Sequence, residues 1–251
     1  MKNNLPLFAL VALLILSRVN ISLAQHNSDT TIFSPQTKTH HRLNPGLGKE
    51  VFSGKRLAIF GATLGGAILM DKWVSNQFLS HQSKGMKHFT DVATVFGEKK
   101  IMVPATAAVW AAGLCLKNEI LSTTAFNSCK ALITGGLLVE AIKIGAGRSR
   151  PDTDRGPWHY SAFGGNNNST KSLPSGHAFV SWAIFTPFAQ EYSKWLYAIP
   201  VSVSIARMYR NRHWFSDVVL GSGIGYFAGL YFQKRKNQKI IYTGNGIVIR
   251  F

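Results

Sequence analysis

The stretch 174–217, PSGHAFVSWAIFTPFAQEYSKWLYAIPVSVSIARMYRNRHWFSD, decides the fold. It holds two apolar runs of helix length, His177 to Tyr192 and Trp195 to Met208, and its polar residues gather where those runs begin and end. A helix leaving near Ser175 and a second returning near Met208 bring Pro174-Ser175-Gly176-His177 beside Arg207-(x5)-His213-(x3)-Asp217. A third block, Lys143-(x6)-Arg150-Pro151, closes the earlier run Ala125 to Ile144 and falls at the same end. Working outward, three further runs read as helices: Leu57 to Met70, Ile101 to Leu116 and Trp214 to Phe232. Their Ala and Gly content favours close helix packing, and Val- and Ile-rich runs of strand length are scarce before residue 239. The expectation is an all-α bundle of about six core helices over residues 54–236, with all three blocks on one end.

The blocks combine fixed positive charge with two histidines. Lys143, Arg150 and Arg207 supply cations, and an arginine fork matches a phosphate bidentately. Ser175 and the backbone N–H of Gly176 can add neutral donors. His213 and Asp217 stand at i and i+4, so on a helix they share a face, and the carboxylate can hold the imidazole tautomer that leaves the other nitrogen nucleophilic. His177 is then free to act as an acid. Taken singly, each residue has a plainer use. Lys143 or Arg150 suits a helix end, Pro174-Ser175 suits a helix start, and His213 beside Trp214 and Phe215 suits a packed interior. Their ordered conjunction is what points to phosphate chemistry.

The three blocks resemble the tripartite pattern of the type 2 phosphatidic acid phosphatase family, to which vanadium-dependent haloperoxidases also belong. The family's pattern is Lys six residues before Arg-Pro, then Pro-Ser-Gly-His, then Ser-Arg-(x5)-His-(x3)-Asp. This chain departs from it only at Ala206, where the family has Ser. The resemblance covers roughly Gly54 to Lys236. It implies that His213 attacks phosphorus to form a phosphohistidine while Asp217 orients and stabilises it, and that His177 protonates the leaving oxygen and then activates water. It further implies that Lys143, Arg150, Ser175, Gly176 and Arg207 bind the phosphate oxygens. No metal or other cofactor is expected, because these cations already neutralise the charge that a metal would bear. The expected enzyme is a phosphoric ester hydrolase acting on monoesters or pyrophosphates, with a lipid phosphate as favoured substrate. The alternatives are a vanadate-dependent haloperoxidase and a noncatalytic anion- or lipid-binding protein.

The chain has 251 residues and a formal net charge of +17, which admits polyanionic partners. The basic residues are spread over several segments without a nucleic-acid motif, so phosphorylated substrates and anionic membrane surfaces fit better than nucleic acid. Lys234, Arg235, Lys236 and Lys239 suit either a helix C-terminus or anionic headgroups.

Residues 1–24 read as a signal peptide: Lys2, an apolar run from Leu5 to Leu16, and Ser22-Leu23-Ala24 before the cut. Residues 25–53 read as a polar linker. A cleaved signal puts the mature N-terminus outside the cytoplasm, and the active end of six alternating helices lies opposite that N-terminus. A membrane-spanning bundle would then turn its site to the cytoplasm, the reverse of the usual orientation in this family. Periplasmic export as a soluble or peripherally attached bundle is therefore favoured over an integral one. Cys115 and Cys129 flank an expected turn at Glu119 to Thr124, which allows either a disulfide or two buried free thiols. The span Asp152 to Leu173 reads as a long loop over the site. In the tail, 237–251, Asn245-Gly246 between β-branched residues is a hairpin signal.

Overall fold

In the computed structural model, residues 45–163, 168–236, 239–243 and 246–250 are described, and residues 44–237 form one compact unit. Among the described residues this unit contains eight α-helices. They are α1 (Pro45–Val51), α2 (Gly54–Ser80), α3 (Lys84–Val95), α4 (Lys99–Cys115), α5 (Glu119–Ala146), α6 (Gly176–Glu191), α7 (Ala198–Tyr209) and α8 (Phe215–Lys236). The architecture of the unit is all-α. In the tail, taken by itself, β1 (Lys239–Thr243) pairs antiparallel with β2 (Gly246–Arg250). The signal-like residues 1–24, the linker up to residue 44 and Asn245 of the expected turn lie outside the described residues.

The centre of the unit is the pair α6 and α8, joined by a glycine stripe. Gly221, Gly225 and Gly229 recur every fourth residue, so they line one face of α8. A Cβ at Gly225 would lie 2.6 Å from the Phe179 carbonyl oxygen, and one at Gly221 would lie 2.4 Å from the Ser175 carbonyl oxygen. The two backbones therefore touch, which holds the start of α6 against the start of α8, and Ser175 N–H donates to the Asp217 carbonyl at 2.9 Å. Helix α5 packs on both and adds buried polar ties, Ser128 Oγ to the Ile184 carbonyl and Asn127 Nδ2 to Gln233 Oε1. Helices α2, α5 and α7 run toward the end that carries the three blocks, and α4, α6 and α8 run away from it.

The structure differs from the sequence reading in four places. The fold begins before residue 54: α1 lies in the expected linker, and its Val51 is fully buried against Leu230, Tyr226 and Phe227. Burying a valine side chain contributes about 1.5–3 kcal/mol, and Phe52 beside it stacks on Phe227 with ring centroids 5.6 Å apart. Helix α2 continues past Met70 to Ser80, because Asp71 does not end it; this carboxylate is buried and paired within the fold. Helix α3 was not anticipated. Its polar face interrupts the apolar run, although Ser83 caps it by accepting from Met86 N–H. Finally, the α4–α5 turn comes earlier than Glu119 to Thr124: α5 already starts at Glu119, with Asn118 capping it through Leu121 N–H.

That last shift decides the cysteines. Gly113 of α4 packs against Ser122 of α5, so Cys115 stands level with the first residues of α5, while Cys129 lies ten residues into that helix. At 1.5 Å per residue the offset is about 13 Å along the axis, too far for a disulfide. Both are free thiols, as the second alternative had it, but Cys115 is exposed and Cys129 only half-buried.

The flank of the unit is unusually apolar. On α5, Phe126, Ile133, Leu137 and Ile144 recur at helical spacing and all are exposed, Leu137 at 71%. Helix α2 buries only Ala67 and Asp71 and leaves Leu69 at 83% exposure. Among the described residues, α2 is the one helix long and apolar enough to cross a membrane.

Candidate active site

Every residue singled out from the three blocks falls on one end of the unit, most of them around a cavity of about 910 Å³. Lys143 lies in the last turn of α5, and Gly147 ends that helix in the left-handed conformation, φ 60°. A Cβ at Gly147 would collide with the Ser161 carbonyl at 1.8 Å, so glycine is needed for the chain to turn there. The following strand-like segment carries Arg150 to the cavity and is pinned by the long loop. Ser149 N–H donates to the His159 carbonyl, Arg150 N–H to the Ser169 carbonyl and Ser172 N–H to the Arg148 carbonyl.

His213 is buried in the turn between α7 and α8. Its Nδ1 lies 2.8 Å from the Ser172 carbonyl oxygen. A carbonyl only accepts, so Nδ1 carries the proton and Nε2 keeps its lone pair. Burial, and after it the charges of Arg207, Arg150 and Lys143, hold the His213 pKa well below the usual histidine value, which keeps the ring neutral. The direct partner of the ring is thus not Asp217, as the i, i+4 spacing suggested. Asp217 Oδ2 stands 3.9 Å from Nδ1, close enough to favour a positive ring electrostatically but beyond hydrogen-bond reach.

Asp217 is occupied elsewhere. Its Oδ1 accepts from Arg148 Nη1 at 2.6 Å, and its Oδ2 accepts from Ser172 Oγ at 2.5 Å and Trp214 N–H at 2.9 Å. Arg148 is itself 1% exposed and reaches back through Nη2 to Asp71 at 2.7 Å, through Nη1 to Ser216 Oγ and through Nε to the Pro157 carbonyl. Asp71 completes the network by accepting from Ser216 N–H at 2.8 Å and from its hydroxyl at 2.7 Å. Sequence reading missed Asp71, Arg148, Ser172 and Ser216. The available hints were a lone acid at the end of an apolar run and a second arginine two residues before Arg150.

The cations at the cavity contrast with this satisfied network. Among the described residues, the buried Arg150 Nε, Arg207 Nε and Ser175 Oγ have no hydrogen-bond partner in the protein. Lys143 Nζ donates to the Pro174 carbonyl at 2.9 Å and stands 3.6 Å from where a Cβ of Gly176 would be. Burial and the neighbouring cations Arg150, Arg212 and Arg210 press the Arg207 pKa down to about 10. Buried donors without acceptors, beside cations that repel one another, describe a site shaped for an oxyanion. His177, in the first turn of α6, faces the same cavity, and its Nε2 lies 3.2 Å from Glu98 Oε2.

Fold and site together describe a helical domain with a cationic pocket at one end, and known proteins resemble it. The PAP2 superfamily profile matches residues 124–240 of this chain. It is 34% identical over 101 residues to the lipid A 1-phosphatase of Porphyromonas gingivalis, an alignment covering 38% of this chain and 20% of that protein. It is 26% identical over 158 residues to the lipid A 1-phosphatase of Rhizobium johnstonii, covering 56% of this chain and 64% of that protein. The chain thus spans less than two thirds of the length of either relative. The crystal structure of Aquifex aeolicus LpxE shares the fold, with a TM-score of 0.52 at 16% identity over 66% of this chain and 95% of that one.

Proposed function

We propose that this chain is a phosphatase that releases inorganic phosphate from an amphiphilic phosphate ester through a phosphohistidine at His213. The observation that carries the reading is the set of partnerless buried donors, Arg150 Nε, Arg207 Nε and Ser175 Oγ, beside a histidine whose Nε2 lone pair is free. The phosphoryl group binds among Lys143, Arg150, Ser175, Gly176 and Arg207. Nε2 of His213 forms a bond to phosphorus as the bond to the leaving oxygen breaks, and His177 gives that oxygen a proton. Water then gives a proton to His177 and attacks phosphorus, the P–N bond breaks, and His213 returns to neutral. Asp217, anchored by Arg148, stabilises the charge that His213 gains while phosphorylated.

The cavity itself suggests the substrate class. Below its cationic end the walls are Val103, Leu132, Ile133, Leu137, Phe179 and Val180, so a phosphate bound above would trail an apolar chain between α4 and α5. Exposed apolar residues also stand on α2, α4 and α5, and Trp158 and Phe163 stand exposed in the loop at the catalytic end. A patch of this kind is unusual on a soluble monomer and suits a lipid layer, with the aromatic residues at headgroup level. The chain therefore works on a lipid phosphate at a membrane, its apolar flank in hydrocarbon and its catalytic end outside it. The names of its relatives make lipid A 1-phosphate the first substrate to try.

The test is phosphate release from lipid A, phosphatidate, a prenyl pyrophosphate and p-nitrophenyl phosphate, each with and without detergent and in the presence of EDTA. Turnover of at least one lipid ester in EDTA, with competitive inhibition by vanadate, is expected. A strict requirement for a divalent ion contradicts the all-cation site, and bromide oxidation supported only by vanadate would move the chain to haloperoxidase chemistry.

A further inference from the structure

The turn between α3 and α4 reaches His177 from a side that none of the three sequence blocks supplies. Its Gly97 is packed so tightly that a Cβ there would lie 2.8 Å from His177 Cβ, 2.8 Å from the His177 carbonyl oxygen and 2.8 Å from Val203 Cγ1. Only glycine lets this backbone approach so closely. Two ties hold the elements behind the turn: Ser83 N–H, at the start of α3, donates to Tyr209 Oη at 2.7 Å, and Asp91 of α3 pairs with Arg210. The close approach delivers the next residue, Glu98, to the mouth of the cavity. Its Oε1 faces Lys100 N–H at 3.5 Å as the cap of α4, and its Oε2 lies 3.2 Å from His177 Nε2.

This contact answers a difficulty built into the site. The cations that bind a phosphoryl group also repel the proton that a general acid must carry. Burial, Arg207 and Arg150 press the His177 pKa downward and Glu98 opposes them, with the balance at about 4; the anionic phosphoryl group, once bound, offsets the same cations. Among the described residues, no other carboxylate is paired with His177.

We propose that Glu98 is the positioning residue for the leaving-group acid: it holds the His177 ring by Nε2 and offsets the cations, so that more of His177 carries its proton when the leaving oxygen arrives. The inference rests on the phosphoryl-transfer reading above. The arriving leaving oxygen replaces Glu98 Oε2 as acceptor of the Nε2 proton, which moves to it and is restored from water in the second step, so Glu98 takes up none. Gly97 is part of the same device, because a larger residue would push the turn away from α6.

The experiment compares the full chain with Glu98→Gln and Glu98→Asp on two monoesters, p-nitrophenyl phosphate and a primary alkyl phosphate, together with inhibition by inorganic phosphate. A nitrophenolate leaves readily without a proton, whereas an alkoxide needs one. An opposing charge within this distance shifts a pKa by about 1–3 units, and one unit is a tenfold change in the protonated fraction. For Glu98→Gln, the loss in kcat/KM on the alkyl ester is expected to exceed that on the aryl ester by about tenfold or more. Phosphate inhibition should stay within about twofold, and Glu98→Asp should recover part of the loss. Equal losses on the two esters, or weakened phosphate inhibition in parallel, overturn the proposal and leave the phosphatase reading standing. No phosphate release from either ester by the unmodified chain overturns the phosphatase reading, and this inference with it.

Discussion

The catalytic end and the flank of this protein invert the usual distribution of polarity. At the catalytic end Asp71, Arg148, Arg207, His213 and Asp217 are buried, while along the flank Leu69, Ile133 and Leu137 face outward. The difference is one of partners. Buried charges persist because each is tied into a network or aimed at an anion, and a buried charge deprived of its partner costs several kcal/mol. The exposed apolar side chains, by contrast, have no protein partner to gain, so their cost in water is removed only by lipid or another apolar surface. One region is thus determined from within the fold and the other by its surroundings.

The sharpest way to break this comparison is at His213. His213→Ala should lower phosphatase turnover by about 10⁴-fold or more, with the helical circular dichroism unchanged. Near-normal rates would remove the nucleophile from the mechanism. Next in size is Arg148→Met, which strands Asp71 and Asp217 without their shared cation. A loss of about 3–5 kcal/mol in unfolding free energy is expected, measured by denaturant titration in detergent. A loss below about 1 kcal/mol would show that the network is not what holds α2 to the start of α8.

A smaller effect is expected in the pH profile. Nucleophilic attack needs His213 neutral, and its pKa lies well below the usual 6.5, so lowering the pH through 6.5 should leave the nucleophile available. The acid limb of kcat, in which free-substrate ionisation does not appear, should therefore lie below pH 6.5, and a limb centred at the usual histidine value would count against the buried, neutral ring. The smallest effect on stability should come from the flank. Ile133→Ser with Leu137→Ser should change unfolding free energy by only about 0.5 kcal/mol per site, yet release more of the chain from membranes on carbonate extraction. Unchanged retention would shift the lipid contact away from α5.

Much of the site was legible because phosphate chemistry demands particular residue types at particular spacings. Lys143, Arg150, Ser175, Gly176, His177, Arg207, His213 and Asp217 all fall at the catalytic end, as the alternation of apolar runs required. The supports were not legible, for a physical reason. Arg148 and Asp71 are 77 residues apart in sequence, and nothing local to either announces the other. Helix α3 was hidden because its polar face broke the apolar run, and with it went the Gly97–Glu98 turn. The Ser172 carbonyl that sets the His213 tautomer is a backbone atom, which carries no residue-type signature at all.

The sequence by itself determined that the chain is helical, and it pointed to phosphate chemistry and to the side chains that the fold gathers at one end. These follow from periodicity and residue type, which are local properties. Only the tertiary structure decided which partner each charge has: Asp217 with Arg148 instead of His213, His177 with Glu98, and two free cysteines offset along α4 and α5. Partners are chosen by distance across packed helices, and a glycine stripe that lets backbones touch, or a turn shifted by a few residues, sets those distances.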